Sequence, residues 1–114
     1  MIKQYDIWIA DLSPRIGAEP GKQRPVLVIQ TDLINNISHP STIICPLTTS
    51  VKKNVDILRV HIRNGTAQLS RDCDIKIDQV RVIDNRRLVK KIGILPQKLS
   101  EKVEENLRIV LDLE

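Results

Sequence analysis

A chain of 114 residues that is 41% apolar can bury an ordinary core without disulfide or metal staples, and it is expected to form one domain over residues 1–114. It has no Phe, one Trp (Trp8) and one Tyr (Tyr5), so Ile, Val and Leu must carry the core. The same scarcity argues against an RNA-binding sheet that stacks bases on aromatic side chains. The net charge of +4 points weakly to an anionic partner, and its distribution is more telling. Residues 1–95 carry 15 Lys/Arg against 9 Asp/Glu, whereas residues 96–114 carry 3 against 5.

In chain order, short β-rich runs are predicted at Tyr5 to Ala10, Pro25 to Gln30, Thr42 to Leu47, Ile57 to Ile62, Cys73 to Ile77 and Gln79 to Ile83. Val26 to Ile29 and Ile43 to Cys45 are continuously apolar, as expected of central strands covered on both faces. Asp74 to Asp78 and Val80 to Ile83 alternate instead, which predicts one wet face. Breakers separate the runs: Pro14, Gly17, Pro20 and Gly21 in a long first loop, Asn35-Asn36 with His39-Pro40, and the hairpin signal Asn64-Gly65. Past Pro96 the apolar residues Leu99, Val103, Leu107 and Val110 recur at helical spacing, predicting an amphipathic helix to about Asp112. The fold class is therefore mainly β: a small antiparallel β-domain with a C-terminal α-helix.

Cys45 and Cys73 form no CxxC pair and no secretory leader is read, so packed, reduced thiols in a cytoplasmic protein are expected. No apolar run approaches the roughly 18 residues of a membrane span. His39 and His61 suit proton transfer by type, but one precedes a proline in a loop and the other sits on the polar phase of a strand, so both read as ordinary surface residues. Asp72, Asp74 and Asp78 are interrupted by Lys76 and read as a solvated strand face, not a cation site. No metal and no cofactor are expected.

Two segments suit phosphate chemistry. Gly17-Ala18-Glu19-Pro20-Gly21-Lys22-Gln23-Arg24-Pro25 combines turn residues, positive charge and exposed backbone N–H groups just before a buried strand. Arg24 there projects from backbone fixed by Pro25, and its guanidinium fork matches a phosphate. Pro46-Leu47-Thr48-Thr49-Ser50 places three hydroxyls at the exit of another central strand.

Together with Asp6-Ile7-Trp8, Asp11-Leu12, Arg24-Pro25-Val26-Leu27-Val28-Ile29 and Asp78-Gln79-Val80-Arg81-Val82-Ile83-Asp84, these segments resemble the MazF/PemK toxins in both content and order. The resemblance covers almost the whole chain, and its most specific element is Gly-x-Glu-x-Gly followed closely by Arg-Pro. It implies an SH3-like or CcdB-like barrel and a two-fold homodimer. It also implies a metal-independent endoribonuclease that cuts single-stranded RNA by 2′-OH attack and is restrained by a MazE-like antitoxin. By similarity Arg24 and Thr48 take the catalytic positions, while Glu19, Gly21, Thr49, Asp78 and Gln79 take substrate-contact positions. The chain departs from the family pattern at Tyr5, where Gly before the Asp is common, and at Pro20, where Gln is common. Two alternatives stay open: a CcdB-like gyrase poison on the same fold, and a non-catalytic basic adaptor. The gyrase branch looks to depend on a Trp near the chain end, whereas this chain ends Val110-Leu111-Asp112-Leu113-Glu114 and keeps Arg24 and Thr48.

Overall fold

The computed structural model describes residues 1–13, 17 and 22–114. Seven strands form one antiparallel sheet: β1 (Asp6–Asp11), β2 (Gln23–Val28), β3 (Ser41–Thr48), β4 (Arg59–Ile62), β5 (Cys73–Lys76), β6 (Arg81–Asp84) and β7 (Leu88–Ile94). The order is β4-β5-β3-β2-β1-β7, with β6 beside the other half of β3. A one-turn helix α1 (Asp32–Asn35) follows β2, and the C-terminal helix α2 (Gln97–Val110) follows β7. The mainly β class with a C-terminal helix is as the periodicity predicts. The end strands β4 and β7 are not paired, however, so the barrel is not closed by hydrogen bonds.

A tight turn at Thr66–Gln68, between β4 and β5, with Ala67 and Gln68 at positive φ, packs on β7 instead. The approach is so close that a Cβ at Gly93 would collide with the Ala67 carbonyl, which is backbone and cannot swing aside. Glycine is therefore required at 93 by contact, not by its φ angle.

Val26 to Val28 in β2 and Ile44 and Cys45 in β3 are covered on both faces, as predicted, but Ile43 is 40% exposed beside the exposed Val82 of β6. On one face Ile7, Leu27, Cys45, Leu47, Ile62 and Ile75 form the main core with Val103 of α2, and Leu99, Leu107 and Val110 pack beside it. On the other, Ala10, Leu12, Val26, Val28, Ile44 and Ile83 form a smaller core flanked by Trp8 and Leu88. The helix brings the predicted stripe to the sheet and is tied down by polar contacts: Asn106 Nδ2 donates to the Asp56 carbonyl (2.9 Å) and the Tyr5 hydroxyl to Glu104 Oε2 (2.6 Å).

Strand β7 is absent from the sequence reading. Its pairing with β1 shifts register between Ile7 and Trp8 and again between Ile9 and Ala10, so the alternation that marks a strand is broken twice. The two motif positions at the N-terminus have structural tasks. Asp6 is buried; its carboxylate accepts from the Lys3 N–H (2.9 Å) and the Trp8 indole (3.2 Å) and pairs with Lys91 of β7 (3.2 Å). Tyr5 adopts φ 69°, a left-handed conformation that costs a side-chain-bearing residue about 1–3 kcal/mol and that glycine takes freely. This explains physically why Gly suits the position. Here Tyr5 is held by its N–H to the Val28 carbonyl (2.7 Å), its carbonyl to the Leu95 N–H (2.9 Å) and its hydroxyl to α2. Burial, then the bond to Glu104, pushes that hydroxyl's pKa upward.

Candidate active site

The site grows out of a split between β2 and β3. Their ladder runs Val28↔Ile44, Leu27↔Cys45 and Val26↔Pro46, and there it stops. Pro25 and Pro46 have no N–H to donate, so neither strand can extend the ladder on its own. Beyond that point β2 is held by β1 (Ala10↔Arg24) and β3 by β5 (Thr48↔Asp74). Arg24 and Thr48 each lie two residues past the last pair, in facing positions of the same register. With a side-chain period of two, both fall on the face of Val26 and Val28. That face is apolar along one flank, where the smaller core lies, and polar along the other.

Thr48 is 9% exposed, and its hydroxyl oxygen accepts from the Ser50 N–H (3.1 Å). That bond fixes the rotamer and leaves the hydroxyl hydrogen free to donate elsewhere. Thr49 is exposed on the turn that follows, where its carbonyl accepts from the Val51 N–H (3.0 Å).

The polar flank continues across β5 and β4, where Thr48↔Asp74↔His61 and Lys76↔Arg59 are register partners. Asp74 corrects the sequence reading: it is 1% exposed, not a solvated face residue. Its Oδ2 accepts from the Lys52 N–H (2.9 Å) and from Arg59 Nη1 (3.2 Å), and its Oδ1 lies 3.0 Å from His61 Nδ1. Arg59 Nη1 also donates to the Ser50 carbonyl (3.1 Å). The turn after Thr48 thus folds over the carboxylate and is locked by it. His61 is also more than a surface residue, since it bridges Asp74 and Asp72, the latter 3.5 Å from Nε2. His39 is exposed and its carbonyl accepts from Asn85.

Asp78 and Gln79 lie in a 3₁₀ turn, Ile77–Gln79, instead of on strands. Buried Ile77 anchors that turn, and its N–H donates to the Leu58 carbonyl (2.9 Å). The turn forms one wall of a cavity of about 260 Å³, which Lys52, Leu58, Arg59 and Lys76 complete. Burial lowers the Lys76 pKa, Arg59 lowers it further, Asp78 opposes this, and Arg24 and Lys52 add to the lowering. The electrostatics thereby tie Arg24 to the cavity that holds Asp78 and Gln79. Cys45 lies beneath, its thiol pushed up to about 12 by burial and by Asp78. It is packed and free, as is Cys73.

Five of the seven sequence candidates, Arg24, Thr48, Thr49, Asp78 and Gln79, therefore sit on three neighbouring structural features: the β2/β3 split, the turn after β3 and the 3₁₀ turn. Glu19 and Gly21 lie outside the described residues. Lys52, Arg59, Lys76 and Asp74 escaped the sequence reading; the available signal was that Arg59 and His61, and Asp74 and Lys76, share a strand phase. Among the described residues, no three His, Cys, Asp or Glu are grouped so as to hold a metal ion, and no helix is long and apolar enough to cross a membrane.

The family model for the PemK-like, MazF-like toxin of type II toxin–antitoxin systems matches residues 3–111. The chain belongs to that toxin family. It is 40% identical over 113 residues to the endoribonuclease EndoA of Bacillus subtilis strain 168, covering 99% of this chain and 97% of EndoA. Its fold is similar to that of crystalline MazF from Deinococcus radiodurans, with a TM-score of 0.81 at 23% identity over 98% of this chain and 97% of that one. It is similar also to a MazE–MazF crystal form from the same organism, with a TM-score of 0.79 at 19% identity over 99% and 97%. These two likenesses establish the fold.

Proposed function

We propose that this protein is the RNA-cleaving toxin of a type II toxin–antitoxin pair, with Arg24 and Thr48 as its catalytic residues. The observation that carries the proposal is the placement of Arg24 and Thr48 opposite one another where the β2/β3 ladder parts, on a flank lined with cations. Full-length 40% identity to an endoribonuclease supports it, and the CcdB-like alternative gains no such support.

In the proposed reaction the ribose 2′-OH gives its proton to solvent as its oxygen attacks the adjacent phosphorus, and solvent reprotonates Arg24 after it has protonated the leaving oxygen. The 5′-oxygen departs with a proton, leaving a 2′,3′-cyclic phosphate and a 5′-OH. Negative charge builds on the nonbridging oxygens, and a guanidinium fixed on a strand end stabilises it without reorganising. Arg24 supplies that charge and the leaving-group proton. Thr48, its rotamer set by Ser50, donates a hydrogen bond that orients the phosphate. Thr49, Asp78 and Gln79 contact flanking bases or sugars, and Glu19 and Gly21 act from the loop before β2.

We further propose a homodimer acting in the cytoplasm. A type II system implies a cognate antitoxin of the MazE kind, and an acidic, partly disordered segment would be drawn to the basic flank. The mechanism is tested by the substrate. In an oligonucleotide containing the cleavage sequence, a single 2′-deoxy substitution on the 5′ side of the cut should abolish scission there while a deoxy sugar elsewhere leaves it intact. Cutting that survives the first substitution would show that the 2′-OH is not the nucleophile.

A further inference from the structure

Beyond Arg24 and Thr48, the cavity between the turn after β3 and the 3₁₀ turn gathers three cations, Lys52, Arg59 and Lys76, on the exposed side of the sheet. Arg59 is neutralised in place by Asp74, which holds its guanidinium 3.2 Å away and the Lys52 N–H 2.9 Å away. Among the described residues, neither Lys52 Nζ nor Lys76 Nζ is paired with a carboxylate, and the rim contributes only Asp78 from its own side. Within the cavity and its wall three cations, Lys52, Arg59 and Lys76, face two carboxylates, Asp74 and Asp78. Lys76 is partly desolvated and next to the Arg59 guanidinium, both of which disfavour its charged form, and an anion entering the cavity would offset them.

The spacing suits a second phosphate of one strand. β5 is two strands from β2 and Lys76 is level with Val26, two residues along from Arg24, so the two lie about 10 Å apart across the sheet and about 7 Å along it, a span of about two nucleotides of extended chain. Gln79 on the same wall offers both donor and acceptor to a neighbouring base edge.

We propose that Lys76, with Lys52 and the Asp74-oriented Arg59, forms a phosphate subsite that grips the RNA backbone beside the cleaved linkage. The inference rests on the ribonuclease function proposed above. It extends that function to residues that neither the motif nor the candidate catalytic pair includes. Asp74 acts here as a positioning residue: it holds Arg59 and the turn carrying Lys52, and does not itself meet RNA.

The test uses the intact protein and a 2′-O-methyl oligoribonucleotide containing the cleavage sequence, which binds but cannot be cut. Lys76→Gln should weaken binding about tenfold at low salt, the scale of one charge-assisted hydrogen bond. It should also reduce the slope of log Kd against log salt by about 0.7, the loss of one single-strand phosphate contact. Lys76→Arg should restore the slope. Replacing single linkages by uncharged methylphosphonates should weaken wild-type binding at a linkage flanking the cut, and Lys76→Gln should be insensitive to that same replacement. A folded Lys76→Gln protein with wild-type affinity and slope overturns the subsite. So does one that keeps RNA affinity but loses affinity for an acidic antitoxin peptide, because the cations would then serve the partner protein. If wild-type protein neither binds nor cuts RNA, the ribonuclease proposal falls and the subsite with it; binding and cutting by wild type with no effect at Lys76 removes the subsite alone.

Discussion

Arg24→Ala should cut RNA at least about 10²–10³-fold more slowly than wild type, the usual loss when one preorganised donor to a developing oxyanion is removed. The expected effect is this large because the guanidinium has two tasks in the proposed reaction, charge stabilisation and proton donation. The fold should survive, since Arg24 is only partly buried and stands at the start of β2, outside both apolar cores. Arg24→Lys should fall between the two: it keeps the charge but not the planar fork that matches a phosphate. Single-turnover cleavage rates, measured beside thermal melts of the same proteins, decide the matter. An Arg24→Ala protein that cleaves at the wild-type rate would remove Arg24 from the chemistry.

Asp74→Ala is expected to have the largest effect on stability. Removing one member of a buried ion pair leaves the other uncompensated, which costs about 3–5 kcal/mol. Here the loss also strands the Lys52 N–H and one face of His61. Melting should fall by about 10 °C or more for a chain of this size. Asp74→Asn, which keeps one carbonyl oxygen as an acceptor, should lose less. A melting temperature within about 2 °C of wild type for Asp74→Ala would mean that the turn from Ser50 to Lys52 is held by other contacts.

The contrast between these two residues shows what can be read locally. Arg24 was legible because its surroundings are sequential: a turn-rich loop before it, Pro25 and a doubly buried strand after it. Asp74 was not, because its surroundings come from elsewhere in the chain. On its own strand it alternates with Cys73 and Ile75 and reads as solvent-facing. Its burial comes from β3 on one side, β4 on the other and the turn at Lys52 above, and no local pattern encodes that three-way convergence.

The strands and α2 followed the same logic. Val26 to Val28 and the stripe Leu99, Val103, Leu107 declare themselves by unbroken or periodic hydrophobicity. Leu88 to Ile94 does not, because two bulges against β1 shift its phase, Lys90 and Lys91 are adjacent, and Gly93 is chosen by its contact with Ala67 instead of by strand propensity. The short 3₁₀ turn at Ile77–Gln79 resembles strand in sequence because buried Ile77 continues the alternation of β5 for one more residue. The open order of the sheet was equally hidden: closure depends on whether the first and last strands in space meet, and here the Thr66–Gln68 turn occupies that position.

The most direct test of the central claim is to incubate the purified protein with a long single-stranded RNA in EDTA and map every cut and the chemistry of its ends. The account predicts cuts at a short recurring sequence that leave 2′,3′-cyclic phosphate and 5′-hydroxyl termini and vanish with Arg24→Ala. RNA left intact across many sequence contexts, or cut to leave 5′-phosphate ends, would contradict it.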